Sequence, residues 1–149
     1  MPTPVFFEAQ RVLPYSADAV FAELIDWAGH AAWVPLTRVE VTVGDGGEGT
    51  EFIATSGVGP AALPDRMRVV SLDHESRTAV IEKLGPMLTG MVTLRVVPVT
   101  EWTSRVEWIE DIMVRGLPGF LSRPTARAAR FAFERSLVGM ARHMRTASA

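Results

Sequence analysis

The sequence contains no cysteine, which excludes a disulfide framework, a thiolate metal site and a cysteine nucleophile. No stretch approaches the roughly 20 uninterrupted apolar residues that a membrane span requires, so we expect no integral membrane contact. Residues 1–11 lack the charged start, apolar run and small-residue cleavage site of a secretory signal. We therefore expect a cytoplasmic protein that is stabilised by packing alone.

Motifs for metal and cofactor chemistry are also missing. The three histidines, His30, His74 and His143, do not have the spacing of a two-histidine metal site. No predicted strand is followed by a Gly-x-Ser-x-Gly elbow, a P-loop or a Gly-x-Gly-x-x-Gly fingerprint. We expect neither a metal nor a bound cofactor, and hydrolase, nucleotide and dinucleotide functions lack support.

The length and composition fit one globular domain. The chain has 149 residues, of which 48% are hydrophobic and 21% charged. It has no internal repeat, and the longest linker-like run is the glycine-rich turn at residues 44–49. We therefore treat residues 1–149 as a single domain.

Charge is distributed unevenly along the chain. The net charge of −2 gives no indication of a nucleic-acid partner. From Arg115 onward there are seven arginines and one acid, Glu134, whereas the rest carries 8 basic and 16 acidic residues. A cationic C-terminal segment therefore follows an acidic body.

Period-two alternation predicts most of the elements. A first strand is expected over residues 5–13, a short helix capped by Ser16 over 16–24, and a second short helical turn from Asp26 through His30. Six more strands are predicted at residues 39–43, 50–56, 66–72, 78–84, 87–97 and 103–114. The last two are the longest, and we expect them at the centre of the sheet.

The final segment changes to a helical period. Apolar residues recur at three- and four-residue steps and predict one long helix over residues 117–145. Consecutive hairpins make the sheet antiparallel. The predicted fold class is α+β: a seven-stranded curved antiparallel sheet around a long C-terminal helix, with two short helices between strands 1 and 2.

Several short segments resemble a known family. They lie at residues 13–21 (LPYSADAVF), 26–27 with 30–35, 49–52, 106–108 and 115–119. Their sequence and order resemble the START-like superfamily, also called Bet v 1-like or SRPBCC, and within it the polyketide cyclase/dehydrase and lipid-transport group. The resemblance covers nearly the whole chain and implies the helix-grip fold. It specifies the function poorly, because such folds serve as lipid carriers, hormone binders and aromatase/cyclases.

A strongly bent sheet can touch a straight helix only along part of its length, so a cavity is expected between them. The predicted function is binding of a small hydrophobic molecule, lipid- or polyketide-like, in that cavity. One alternative is a polyketide aromatase/cyclase-type enzyme. Another is a protein-interaction module that uses the basic C-terminal helix.

The last predicted strand supplies the central candidates for the cavity. We expect its Trp108 face to point inward, which would place Glu110 inside, where a carboxylate needs a partner such as Arg66. The predicted ligand-binding residues are Trp33, Arg66, Met87, Met91, Trp108, Glu110, Ile112, Phe133, Leu137 and Met140. Structural roles stay open for them: a rim position or ion pair for Glu110, a solvated charge for Arg66, and core packing for Trp33 and the methionines.

Two further hypotheses concern catalysis and partners. If the protein is an enzyme, the resemblance implies cyclase or dehydratase chemistry, with Glu110 transferring protons and Arg66 holding an enolate or carboxylate. A basic stripe on the last helix could contact an acidic partner, a second copy in a homodimer or an anionic membrane surface, or be a solvated face. This stripe consists of Arg127, Arg135, Arg142 and Arg145, which flank Phe131 and Val138.

Overall fold

The computed structural model describes residues 1–147. The seven strands are β1 (Pro2–Leu13), β2 (Thr37–Val43), β3 (Glu51–Ser56), β4 (Leu63–Asp73), β5 (Thr78–Leu84), β6 (Leu88–Pro98) and β7 (Ser104–Arg115). The α-helices are α1 (Ala17–Leu24) and α2 (Ser122–Ala147). Short 3-10 turns lie at Ala28–Ala32, Gly59–Ala61 and Gly119–Leu121. The predicted element types and order are confirmed.

The strands form one antiparallel sheet in the order β1-β7-β6-β5-β4-β3-β2. Each strand from β2 to β7 pairs with its neighbour in sequence, and β1 pairs with β7 along its whole length. The expectation that the two longest strands lie at the centre is therefore wrong. Because β1 returns to the edge beside β7, the middle strand is β5.

Helix α1 begins where the sequence predicts. Ser16 has extended backbone, and its hydroxyl oxygen accepts a hydrogen bond from the amide of Ala19 at 3.3 Å, which satisfies one of the unpaired donors of the first turn. The buried face of the helix consists of Ala17, Val20, Phe21 and Leu24. The 3-10 turn that follows is tied to the β2–β3 hairpin, because the indole N–H of Trp27 donates to the carbonyl of Gly46 at 2.8 Å.

Helix α2 begins later than predicted. Gly116 has a φ of +83°, Pro118 has extended backbone, and a 3-10 turn precedes Ser122. The apolar period continues through this segment, but the backbone at Gly116 and Pro118 is not helical. The helix then packs along β1, where the rings of Phe7 and Phe133 stack at 5.5 Å between centroids. Among residues 1–147, no helix is both long and apolar enough to cross a bilayer.

The core lies between the concave face of the sheet and the two helices. Alternate residues of β7 from Ser104 to Ile112 are buried, which is the inward face that the sequence predicts. Leu137 and Met140 of α2 are fully buried in the same core. The buried residues therefore recur every second residue in the sheet and every three to four residues in the helix, as expected where a sheet and a helix pack as two layers.

Gly90 allows a close approach of β6 to β7. Its φ is +124°, and a Cβ at this position would lie 2.4 Å from the backbone oxygen of Asp111. Neither the carbonyl nor the paired strand can move without disturbing the ladder. This position therefore requires glycine, as bends inside strands often do.

We predict that Gly90→Ala lowers the free energy of unfolding by about 3 kcal/mol or more, since backbone strain and a steric clash add. The matched control is Gly46→Ala. Gly46 has a similar φ of +107°, but a Cβ there would have no atom within 4 Å, so only the backbone strain of about 1–2 kcal/mol is expected. Urea unfolding of both variants measures the difference, and equal losses would contradict the argument.

Candidate functional site

A cavity of about 90 Å³ lies on the concave side of the sheet. Its walls come from β2 to β7, from the segment between α1 and β2, and from one residue of α2. The lining residues are Trp27, His30, Val34, Thr37, Val39, Phe52, Ala54, Ser56, Asp65, Met67, Ile81, Lys83, Val92, Leu94, Trp108, Glu110 and Phe133. Thr37 and Ala54 are half-buried and Ser56 is exposed, so the cavity reaches solvent where the start of β2 pairs with the end of β3.

The size of the cavity limits what it can enclose. A cavity of about 150 Å³ is known to take up benzene, and most sites for small molecules measure about 300–1,000 Å³. At about 90 Å³ this cavity is smaller than the benzene-binding one, and it admits a single ring only if half-buried side chains such as Met67 and Val39 move. A larger ligand would have to extend through the open end.

Aromatic rings form much of the wall. Trp108 lies 4.6 Å from Phe133 between ring centroids, and Trp27 stacks on Phe52 at 5.2 Å. Because these four rings come from different elements, the wall joins α2, β3, β7 and the segment after α1. It presents flat apolar surfaces to the cavity.

A buried lysine lies among these apolar groups. Lys83 is 6% exposed, and its Nζ is ion-paired with Oδ2 of Asp65 and lies 3.9 Å from the sulfur of Met67. It is placed there by the alternation of β5, in which Ala79, Ile81 and Lys83 all face inward. It is also the only lysine in the sequence.

Glu110 of β7 is the second charged group of the cavity. It is 3% exposed, and its Oε1 accepts a hydrogen bond from the indole N–H of Trp108 at 3.0 Å. Burial raises the pKa of Glu110, and the attraction of Lys83 and the bond from Trp108 only partly oppose this. Glu110 therefore keeps its proton to a higher pH than an exposed glutamate does.

The other two members of the cluster also have shifted pKa values. Burial raises the pKa of Asp65 more than Lys83 lowers it. Burial alone would lower the pKa of Lys83, but Glu110 and Asp65 together outweigh it and raise the pKa. These three shifts are consistent with one another. Two carboxyl groups stabilise the one ammonium and raise the pKa of Lys83, whereas the two carboxyl groups share a single cation, which does not offset the effect of their burial.

Asp65 also carries a buried acceptor that the protein does not use. Its Oδ2 contacts Lys83, whereas its Oδ1 is buried and has no hydrogen-bond partner among residues 1–147. Buried polar atoms are nearly always paired in folded proteins, since an unpaired one costs free energy. One buried, unsatisfied acceptor therefore lies beside the ammonium of Lys83, on a residue that lines the cavity.

His30 adds a neutral imidazole. Its Nε2 lies 2.6 Å from the carbonyl oxygen of Leu24, and because a carbonyl only accepts, Nε2 carries the hydrogen and Nδ1 is an acceptor in the neutral ring. Burial lowers the pKa of His30 more than the bond to Leu24 and the nearby Asp26 raise it. The cavity thus combines a cation, two carboxyl groups and a neutral histidine.

Three of the predicted ligand-binding residues line this cavity: Trp108, Glu110 and Phe133. Phe133 is the only contribution of α2, so the cavity borders the helix at one point rather than along its length. Whether these residues bind a ligand stays a prediction.

The other predicted residues lie elsewhere. Ile112, Leu137 and Met140 are buried in the core, outside the lining. Met87 and Met91 are 42% and 38% exposed, and Trp33 is buried beside His30, with its ring 4.7 Å from the imidazole. These positions favour the structural role for Trp33 and do not place the two methionines in the cavity.

Arg66 does not accompany Glu110. It is exposed on β4, on the face opposite to Asp65 and Met67. The expected partnership with Glu110 is therefore wrong, and the cation that faces Glu110 is Lys83. A shift of one residue along a strand moves a side chain to the other face of the sheet.

The sequence interpretation missed Lys83, Asp65 and His30. For Lys83 there was a usable signal: a single lysine that continues the inward alternation of Ala79 and Ile81. Asp65 lies before the predicted start of its strand, and the position of His30 depends on how the 3-10 turn folds back onto the sheet. Sequence spacing alone does not define such a position.

The four arginines of the basic stripe on α2, Arg127, Arg135, Arg142 and Arg145, are exposed as predicted, whereas Val138 is half-buried. The guanidinium of Arg135 lies 6.0 Å from the centroid of the Phe131 ring. Phe131 is itself 65% exposed. A partner for this surface, or a homodimer through it, stays a prediction.

Comparison with known proteins identifies the family. The model of the family described as polyketide cyclase/dehydrase and lipid transport matches residues 5–145. The chain belongs to this family, within the START-like (SRPBCC) superfamily. Among curated proteins, none matches the chain.

Solved structures show the same fold. The protein TTHA0849 from Thermus thermophilus has a TM-score of 0.81 at 16% identity, with 97% of this chain and 99% of that chain covered. A START superfamily protein from Mycobacterium smegmatis has a TM-score of 0.79 at 11% identity (93% and 98% covered). The ZhuI aromatase/cyclase from Streptomyces sp. R1128 has a TM-score of 0.70 at 18% identity (91% and 88% covered). At such identities the similarity shows the helix-grip fold alone.

We predict that Glu110→Gln weakens the pH dependence of stability. Since the pKa of Glu110 is raised above its ordinary value of 4.5, the folded protein holds a proton that the unfolded chain has released, and stability falls as pH rises through this interval. Urea unfolding from about pH 4 to pH 8 should show a smaller fall in the variant than in the wild type. Lys83 does not contribute here, since its raised pKa lies above 10.5.

The control is Glu101→Gln, at an exposed position in the loop before β7. It should follow the wild-type pH dependence. An unchanged pH dependence in Glu110→Gln would show that burial does not hold the proton on this carboxyl group.

Proposed function

We propose that the protein binds a small, mainly apolar molecule in the cavity on the concave side of its sheet. The observation that carries this proposal is the composition of the wall, in which aromatic rings and aliphatic side chains surround a few polar groups. This is the usual construction of a small-molecule site: apolar surface supplies affinity and the polar groups fix orientation.

The polar groups argue for a ligand rather than for a purely structural core. Burying Lys83, Asp65 and Glu110 together costs free energy, and apolar residues of similar volume would often be at least as stable. Asp65 Oδ1 lacks a donor among residues 1–147. A ligand with a polar end would compensate part of this cost.

The first experiment closes the cavity. Ala54 lies half-buried in the wall of β3, and a phenylalanine there would fill the space that a ring must enter. We expect Ala54→Phe to weaken binding of single-ring probes such as toluene and phenol at least about tenfold, because the ring would have to displace packed atoms. Calorimetric titration measures the dissociation constants.

The control is Ala128→Phe, which adds the same side chain at an exposed position of α2 and should leave binding unchanged. Native mass spectrometry of the purified wild type, compared with Ala54→Phe, tests whether a co-purified molecule occupies the same space. If no single-ring probe binds the wild type, or if Ala54→Phe binds equally well, the proposed function is wrong.

A second candidate is proton-transfer catalysis of the cyclase or dehydratase kind. It is favoured by the presence of His30, whose Nδ1 is an acceptor, and of the carboxyl group of Glu110 in the lining of one cavity, with the ammonium of Lys83 able to hydrogen-bond a carbonyl oxygen. In such a step Nδ1 of His30 or the carboxylate of Glu110 acts as the base and takes a proton from the carbon beside a carbonyl group of the ligand. The electron pair of the broken C–H bond moves to the carbonyl oxygen, which the ammonium of Lys83 stabilises.

This candidate predicts that the wild type accelerates exchange of the α-protons of cyclohexanone for deuterium, as followed by NMR, and that Glu110→Gln slows that exchange by about 10²-fold or more. Glu101→Gln again serves as the control. Exchange at the rate of buffer alone would leave binding as the function of the cavity.

A further inference from the structure

The arrangement of polar atoms around Lys83 restricts which chemical group a ligand can place in the cavity. Asp65 uses Oδ2 for its contact with the ammonium, and Oδ1, buried beside it, has no partner among residues 1–147. The ammonium has three hydrogens, and its other contact is the weak one to the sulfur of Met67. An unused acceptor and an available donor therefore lie side by side.

A hydroxyl group satisfies both of these atoms at once. Its oxygen can accept from the ammonium of Lys83 while its hydrogen is donated to Oδ1 of Asp65, which closes a ring of three hydrogen-bonded groups with the existing ion pair. A carbonyl group could accept from Lys83 but would leave Oδ1 unpaired.

Charged groups fit less well. A carboxylate would approach the carboxylate of Asp65, which already pairs with Lys83, and an ammonium would approach Lys83 itself. Both would add like-charge repulsion in a buried site, where charges are poorly screened.

The rest of the wall selects the body of the ligand. The 90 Å³ of space admits at most one ring, with side chains such as Met67 moving aside, and the neighbouring rings of Trp108 and Phe133 present flat surfaces to it. We propose that the ligand is a neutral single-ring molecule of the phenol class, with its hydroxyl between Lys83 and Asp65 and its ring against Trp108 and Phe133. This inference rests on the proposed function and adds the chemical class of the ligand.

The test compares three ligands of similar size: phenol, toluene and benzoate. A purely apolar cavity would prefer toluene, because phenol has to give up hydrogen bonds with water. We expect calorimetric titration at neutral pH to show phenol binding at least about tenfold tighter than toluene and than benzoate, since hydrogen bonds to charged groups are among the stronger ones.

The outcomes separate this inference from the proposed function. Toluene binding as tightly as phenol, or benzoate binding most tightly, would overturn the assignment of a hydroxyl while leaving a ligand-binding cavity in place. If none of the three binds, the cavity does not take up single rings, and both proposals are wrong.

A double variant tests whether Lys83 and Asp65 are responsible for the preference for phenol. Lys83→Met alone would leave Asp65 as a buried carboxylate without its cation, so the informative variant combines Lys83→Met with Asp65→Asn. We expect this double variant to lose the preference for phenol and to bind toluene within about threefold of the wild type, as the apolar wall is unchanged.

Arg66→Met is the matched control, because Arg66 lies next to Asp65 in sequence but on the exposed face of β4. It should keep the preference for phenol. A double variant that still prefers phenol tenfold would overturn the proposal. The comparison of the three ligands on the unmodified protein holds even if the double variant does not fold.

Discussion

The structure depends on one geometric constraint: the concave face of a seven-stranded sheet has to be covered by a single long helix and a short segment. Helix α2 has 26 residues, or about 39 Å at 1.5 Å per residue, and it packs along the edge strand β1. Helix α1 packs on β6 and β7, which leaves the face formed by β3 to β5 to the 3-10 turn after α1 and to a few aromatic side chains. The cavity lies where this cover is thinnest.

Electrostatics in the cavity follow from that position. Lys83, Asp65 and Glu110 come from three strands whose inward alternation brings them onto the same face. In water such a group would be stabilised by solvation, but here the three must neutralise one another. One cation and two carboxyl groups leave the cluster with a retained proton and an unused acceptor. It therefore differs from a structural ion pair, in which each partner is satisfied.

The sequence was sufficient for most of the fold because the local signals agree with each other. Ser16 caps α1, and the apolar spacing changes from period two to a helical period in the segment that forms α2. The positions of Trp108 and Val106 indicate the inward face of β7. The predicted start of α2 and the predicted centre of the sheet were wrong. The first depends on Gly116 and Pro118, which interrupt a helix without interrupting its apolar pattern. The second depends on the long-range pairing of β1 with β7.

The site was less predictable than the fold. Trp108 and Glu110 were placed correctly because they belong to a long, regular strand. Arg66 was placed on the wrong face, because a strand that contains both Arg66 and Met67 does not reveal its phase without the paired strands. Lys83 was overlooked because lysines are almost always exposed, and the rule fails where a carboxyl group accompanies the ammonium.

The position of Lys83 has a practical consequence. The chain has a single lysine, and it lies in the middle strand of the sheet with 6% of its side chain exposed. A protease that cuts after lysine therefore finds one peptide bond, Lys83 to Leu84, inside the hydrogen-bonded ladder of β5. Cleavage there requires the end of β5 to separate from its neighbours, so the rate of this single cut reports how often this end of the strand opens.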